Sequence, residues 1–151
     1  MSNKNTLIFI LTLTATLIAD LLSKHWAFYE LQERVWIIPE FVYMELVYNI
    51  GIAFSLPITG IVLKVGTIVL IFALFGYYFY GETHKKSMIP HIAFAMILGG
   101  ALGNGIERIL IGKVTDFIGV PGFAVMNMAD IGITLGALLY IFYELSYKHT
   151  S

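Results

Sequence analysis

The sequence predicts a mainly α-helical membrane protein with four transmembrane helices and a small surface sheet. Hydrophobic residues make up 58% of the 151 residues and charged residues only 13%, whereas soluble domains have about 45–50% and about 25%. Four runs approach the roughly 20 apolar residues that cross a bilayer. One further segment has the β-branched and aromatic residues typical of strands. A single small core cannot bury this apolar excess, so lipid is the expected solvent.

The four spans are expected at roughly residues 6–27, 59–80, 88–109 and 128–147, within a single membrane domain that covers residues 1–151. Lys4 and the apolar run after it look like a signal peptide. Leu17 and Ala19 nevertheless form a poor small-x-small cleavage site, so we expect this span to be retained. In the third span Gly99 and Gly103 are four residues apart, a spacing that favours close helix packing.

The segment from roughly residue 35 to residue 56 is apolar enough to suggest a fifth span. Pro39, Glu40 and Glu45 argue against a span, because proline breaks helices and acids are costly in the bilayer. The alternation of side chains instead predicts short strands that lie on the membrane surface. The segment that joins the third and fourth spans is expected to be a loop that carries Asp116, with a tight turn at Val120-Pro121-Gly122.

Charge and cysteine content exclude several classes of function. The formal net charge is −1 and no basic run is present, so we expect no nucleic-acid partner. The chain has no cysteine, which removes disulfides, thiolate metal sites and a cysteine nucleophile. No cofactor and no metal site are expected.

Polar residues gather at one end of the predicted bundle, because alternate connections between four spans fall on alternate sides of the membrane. Asp116, in the connection between the last two spans, is on the same side as the start of the fourth span at Asp130, so both carboxylates can reach one site. The polar residues expected at this face, near the ends of the spans, are Asp20, Asn49, Ser55, Asn104, Arg108 and Asp130.

Several of these residues also have a purely structural interpretation. Asp130 could cap the last helix by accepting from free backbone N–H groups. Asp20 and Lys24 are four residues apart with the acid first, the favourable order for a helical ion pair. Arg108 lies within a span and needs a carboxylate partner; Asp116 or Glu107 could serve.

Five ordered motifs that extend over nearly the whole chain resemble those of lipoprotein signal peptidase, also called signal peptidase II. They are "DLLSK" at Asp20–Lys24, "NIGIAFS" at Asn49–Ser55, "GGALGNGIER" at Gly99–Arg108, "VTDF" at Val114–Phe117 and "NMAD" at Asn127–Asp130. Two positions depart from the usual pattern. Leu21 stands where the family commonly has glutamine, and Glu107 stands where it commonly has aspartate.

The resemblance implies an aspartic endopeptidase that removes the signal peptide of diacylglyceryl-modified prolipoproteins by cleaving before the lipidated cysteine. It implies a multi-pass protein of the bacterial cytoplasmic (inner) membrane, with cytoplasmic termini and a β-cradle and loop over an extracytoplasmic active site. Membrane lipid and a globomycin-type inhibitor are the further partners. Asp116 and Asp130 are the implied catalytic residues. The implied supporting or substrate-binding residues are Asp20, Lys24, Asn49, Gly51, Ala53, Asn104, Arg108, Asn127 and Ala129.

Hydrolysis by two carboxylates requires one of them ionised, to activate water, and one protonated. The sequence leaves open which aspartate is ionised, although the first-turn position of Asp130 favours the anion there. Two other functions are compatible with the residues. Ser55 with Lys24 or Lys113 as base would make a serine protease, and the clustered acids could form a small membrane transporter or proton pathway.

Overall fold

The computed structural model describes residues 2–51 and 60–148. The predicted site residue Ala53, the candidate nucleophile Ser55 and the last part of the predicted surface segment therefore lie outside the described residues. The rest of the predicted elements can be compared with the structure directly.

Four long helices form most of the structure. Their bounds are α1 at Asn3–Glu30, α2 at Gly60–Tyr77, α3 at Ile89–Leu110 and α4 at Met128–Lys148, and α2 continues as one π-helical turn at Tyr78–Glu82. In the described ranges, four helical segments are long and apolar enough to cross a membrane, which confirms the predicted number. The 28 residues of α1 span about 42 Å. Because the hydrocarbon core is only about 30 Å thick, this helix is long enough to extend beyond it.

Helix α3 is the central element of the bundle. Of its apolar window 61% is buried inside the protein, against 6–17% for the other three spans. Glycines allow the close contacts. A Cβ atom on Gly99 would lie 2.8 Å from the Leu13 carbonyl oxygen of α1, and a Cβ on Gly100 would lie 2.9 Å from Ile133 of α4. The predicted role of these glycines in packing is confirmed.

The sheet has four antiparallel strands in the order β1-β2-β3-β4. They are β1 at Val35–Ile38, β2 at Val42–Asn49, β3 at Val114–Gly119 and β4 at Val125–Met126. Asp116 is paired with Val47 of β2. The expectation that Asp116 lies in a loop was wrong. Its backbone is extended and takes part in the sheet, which satisfies polar groups that would otherwise be buried without partners.

The predicted tight turn is present between β3 and β4. The Phe123 N–H donates to the Val120 carbonyl at 2.9 Å, and Gly122 has φ 77°. Proline followed by a residue of positive φ is typical of a type II turn. The turn closes a hairpin, so Asp116 and the start of α4 are connected through a short, structured segment.

A buried apolar cluster docks the sheet on the bundle. Phe117 of β3 is 2% exposed and packs with Ala27 and Leu31 at the end of α1, and Met128 packs against the same cluster. Because side chains alternate along a strand, Phe117 and Asp116 point to opposite faces. The apolar contact therefore fixes the strand that presents Asp116.

A second polar cluster joins α2 to α4 at the other end of the bundle. The Lys85 ammonium pairs with Glu82 at 3.0 Å and also with Glu144. The Tyr140 hydroxyl donates to Glu82 at 2.9 Å. Since Glu82 is buried, these partners offset the cost of its desolvation. The cluster anchors the π-helical end of α2.

We expect Gly99→Ala to lower the free energy of unfolding by about 1–3 kcal/mol, because its new methyl group meets the backbone of α1 and α3 must move away. Gly66→Ala is the matched control. No atom lies within 4 Å of its added Cβ, and alanine is the better helix former. Thermal unfolding in detergent measures the stability of both variants. Equal stability of the two variants would contradict the packing role of Gly99.

Candidate active site

The first turn of α4 holds Asp130 by a reciprocal pair of hydrogen bonds with Asn127. The Asp130 N–H donates to Asn127 Oδ1 at 3.0 Å, and the Asn127 N–H donates to Asp130 Oδ2 at 3.1 Å. This arrangement is a capping box, in which two free N–H groups at a helix start are satisfied together. The capping interpretation of Asp130 is confirmed. The cap uses only the Oδ2 atom of Asp130, and its Oδ1 accepts from the side chain of Asn104 at 2.8 Å.

Asp20 caps the same helix from α1. Its Oδ1 accepts from the Ala129 N–H at 2.8 Å, and its side chain is fully buried. The predicted helical pair is also present, since Lys24 Nζ lies 2.7 Å from Asp20 Oδ2. Gly103 allows this approach, because a Cβ there would collide with the Asp20 carboxylate. Asp20 thus ties α1 to the start of α4.

Lys24 is a buried cation with three acceptors. Its ammonium is 2.7 Å from Asp20, 2.8 Å from Asn104 Oδ1 and 3.1 Å from Glu107. The side chain is 4% exposed. Burial of a charge is costly unless it is paired and hydrogen-bonded, and here each of the three N–H donors has an oxygen within reach. Lys24 therefore joins α1 to α3 beneath the aspartates.

Asp116 accepts hydrogen bonds from two asparagine side chains. Asn127 Nδ2 donates to its Oδ1 at 2.6 Å, and Asn49 Nδ2 donates to its Oδ2 at 3.1 Å. The Asn49 amide is itself oriented, because its Oδ1 accepts from the Gly51 N–H at 3.0 Å. Asp116 is 2% exposed. Neutral amide donors, rather than cations, are its direct partners in the described part of the chain.

Burial raises the pKa of Asp116 to about 6, from an ordinary value of 3.8. The hydrogen bonds from Asn49 and Asn127 and the more distant Lys24 charge act in the opposite direction, whereas the negative charge of Asp130 raises this pKa further. The carboxyl therefore stays protonated at a pH where an exposed aspartate is ionised. The two aspartates are close enough to interact electrostatically.

Arg108 has no carboxylate partner among the described residues, so the expected pairing with Asp116 or Glu107 was wrong. Glu107 is already engaged. It pairs with Lys24 and accepts from both the N–H and the hydroxyl of Thr115, at 2.9 and 2.7 Å. The Arg108 Nε is buried and has no hydrogen-bond partner among residues 2–51 and 60–148.

The structure brings most of the predicted site residues into one hydrogen-bonded network. Gly51 and Ala129 take part through their backbone N–H groups, and the side chains involved are those of Asp20, Lys24, Asn49, Asn104, Asp116, Asn127 and Asp130. Sequence reasoning missed Thr115. Its position directly before Asp116 was the available signal. Across residues 2–51 and 60–148, no group of three His, Asp or Glu side chains is suited to a metal ion.

The departure at Leu21 faces a side cavity of about 310 Å³, which Lys24, Glu107, Tyr48 and Thr115 also line. Leu21 is 38% exposed. Within the described ranges Asp116 and Asp130 do not line this cavity. The departure therefore leaves the hydrogen bonds of Asp116 and Asp130 in place.

Comparisons with known proteins identify the family of this chain. The family model described as signal peptidase (SPase) II matches residues 12–146. A lipoprotein signal peptidase of Hydrogenovibrio crunogenus is 36% identical over 144 residues, with 85% of this chain and 79% of that protein covered. A lipoprotein signal peptidase of Chlorobium phaeobacteroides is 34% identical, with 91% and 96% covered.

A solved bacterial membrane enzyme has a similar fold. Its structure, determined by the in meso method at 2.3 Å resolution, superposes with a TM-score of 0.83 at 25% sequence identity, with 95% of this chain and 90% of that chain covered. With four apolar helices in the described residues, the chain is a multi-pass membrane protein. It belongs to the signal peptidase II family, whose members are proteases that remove signal peptides from prolipoproteins.

Proposed function

We propose that this protease is an aspartic endopeptidase whose catalytic dyad is Asp116 and Asp130. The observation that carries the proposal is their shared partner. Asn127 donates to Asp116 from its side chain at 2.6 Å and to Asp130 from its backbone at 3.1 Å. One residue thereby holds two carboxylates from different elements of the fold. Two acids held together without a cation directly between them share a proton more readily than they both ionise.

The surroundings of Asp116 support different roles for the two acids. The raised pKa of Asp116, caused chiefly by its burial, favours the protonated form there. Asp130, in the first turn of α4, is then the partner that takes the proton from water. We therefore assign Asp130 as the base and Asp116 as the acid.

The chemistry follows from this assignment. Asp130 takes a proton from water, and the resulting hydroxide attacks the carbonyl carbon of the scissile peptide bond. Asp116 donates a hydrogen bond to the carbonyl oxygen and stabilises the negative charge that forms on it. When the tetrahedral intermediate collapses, the amine leaves with a proton that the dyad has carried. Asp130 supplies that proton, so the products are a carboxylic acid and an amine, between which a proton then passes to give a carboxylate and an ammonium, and the dyad returns to its starting state.

The proposed substrate is a diacylglyceryl-modified prolipoprotein, cleaved before the lipidated cysteine. The acyl chains of such a substrate remain in lipid, so the scissile bond lies at the bilayer edge, where a membrane-embedded protease can reach it. Arg108 is the group we propose to bind the substrate main chain, because its buried Nε has no hydrogen-bond partner in the described part of the chain. A globomycin-type cyclic peptide would occupy the same site as an inhibitor.

The proposed location is the bacterial inner membrane, with cytoplasmic termini and the site at the extracytoplasmic face. The helix order supports this location, because the sheet, Asp116 and the start of α4 come at one end of the helices. The start of α1, the end of α4 and the connection around Lys85 come at the other end.

The competing functions have weaker support from the contacts. Lys24 uses its three N–H groups as donors to Asp20, Asn104 and Glu107, so it is not available as the base of a serine protease. The same contacts occupy two of the acids that a proton or cation pathway would need. Ion flux in proteoliposomes without cleavage of a lipidated precursor would favour the transporter function.

We expect Asp116→Asn and Asp130→Asn each to lower kcat by at least about 100-fold, because each removes one partner of the acid–base pair. Cleavage of a lipidated precursor in detergent measures the effect. Glu33→Gln is the matched control, since Glu33 is exposed and near the same face, and its activity should not change. Near-normal cleavage by either folded aspartate variant would falsify the dyad assignment.

The absence of cysteine allows a direct test of orientation. A membrane-impermeant maleimide should label the Phe123→Cys variant in spheroplasts, because Phe123 is 60% exposed in the hairpin turn. The His84→Cys variant lies in the opposite connection and should react only after lysis. The reverse pattern would place the site on the cytoplasmic side.

A further inference from the structure

Thr115 directly precedes Asp116 in β3, and both of its hydrogen-bond donors go to one carboxylate. Its N–H donates to Glu107 Oε2 at 2.9 Å, and its hydroxyl donates to Glu107 Oε1 at 2.7 Å. The residue is 5% exposed. Hydrogen bonds to an ionised carboxylate are short and strong, and two of them from one residue fix its rotamer and its backbone together.

Glu107 is itself held in place by an ion pair, so its contact with Thr115 does not depend on a mobile side chain. Its Oε2 lies 3.1 Å from Lys24 Nζ, and Lys24 is anchored by Asp20 and Asn104. These residues belong to α1 and α3. The two long helices therefore hold the backbone of β3 at the residue next to Asp116.

Asn127 contacts the same short stretch of β3 from the other side. Its Nδ2 donates to the Thr115 carbonyl at 3.3 Å and to Asp116 Oδ1 at 2.6 Å. One amide group thus contacts both the Thr115 backbone and the Asp116 carboxylate. A shift of Thr115 away from Glu107 would disturb both bonds.

The side chain of Thr115 points away from the dyad. Successive side chains of a strand lie on opposite faces, so the Thr115 hydroxyl and the Asp116 carboxylate face different directions. Thr115 and Glu107 line the side cavity of about 310 Å³, and within the described ranges Asp116 and Asp130 are not among the residues that line it. A substrate at the dyad would not touch the Thr115 hydroxyl.

We propose that Thr115, which donates two hydrogen bonds to Glu107, is a positioning residue that holds Asp116 in place for catalysis. This inference rests on the proposed dyad. It predicts that the hydroxyl affects the chemical step and not substrate binding, because small misplacements of a catalytic group lower the rate steeply.

We expect Thr115→Val to lower kcat about 10-fold with KM within about twofold, and Thr115→Ser to restore kcat to within about twofold of the unmodified chain. Cleavage of a lipidated precursor over a range of substrate concentrations separates the two constants. Thr115→Ala provides a second variant if the valine methyl groups prevent folding against the Glu107 carboxylate, and its kcat should fall by a similar factor.

Thr83→Val is the matched control. Thr83 is also buried, donates one hydrogen bond to the Phe79 carbonyl at 2.8 Å and lies at the opposite end of the bundle. Its kcat and KM should not change. The proposal fails if folded Thr115→Val or Thr115→Ala keeps kcat within about twofold, if serine does not restore activity, or if Thr83→Val loses as much.

The outcome is separable from the test of the dyad. If Asp116→Asn and Asp130→Asn abolish cleavage while Thr115→Val does not alter kcat, the dyad stands and the positioning role is wrong. If an aspartate variant keeps its activity, the proposed function itself is wrong. Thermal unfolding of each variant in detergent identifies those that are folded.

Discussion

The hydrogen bonds of Asn127 are the interaction on which the site depends. Asp116 is carried by a strand and Asp130 by a helix, and nothing in the connectivity alone requires their carboxylates to meet. Asn127 caps α4 and at the same time donates to Asp116. A residue that is needed for the start of the helix thereby also sets the geometry of the two acids. Its complete burial keeps water from competing for these bonds.

The bilayer explains why the network around Asn127 is so fully connected. Polar groups at the edge of hydrocarbon have few alternative partners, so each unsatisfied group is costly. Lys24 pairs with both Asp20 and Glu107, and Asn104 links that ion-pair cluster to Asp130. The carboxylates of Asp116 and Asp130 themselves receive uncharged donors, which leaves room for a shared proton.

Much of this arrangement could be predicted from the sequence, because it follows from local patterns. The four apolar runs, the Pro-Gly turn, the Asp20–Lys24 pair and the cap at Asp130 each depend on residues near one another in the chain. The strand that carries Asp116 was missed because a short apolar run is compatible with a loop or a strand, and only pairing with β2 decides between them.

The partners of the charged residues were harder to predict. Lys24 and Arg108 both need an acid, and spacing alone does not say which of them takes Glu107. In the structure Glu107 pairs with Lys24 and accepts hydrogen bonds from Thr115, because the last part of α1 and the start of β3 both lie beside it. Arg108 is left with an unpartnered Nε. The charged side chains of Asp20, Lys24 and Glu107, at the same end of the bundle, all have partners.

In the proposed dyad the two aspartates share one proton, which Asp116 holds up to about pH 6. Infrared difference spectra of the protonated-carboxyl band, recorded as a function of pH for the unmodified chain and the Asp116→Asn and Asp130→Asn variants, measure this directly. We expect one band that is lost as the pH rises through about 6, that is missing in Asp116→Asn and that persists in Asp130→Asn with a lower midpoint, because the neighbouring charge has been removed. A band that persists in Asp116→Asn but is missing in Asp130→Asn, or no band that titrates, would contradict the account.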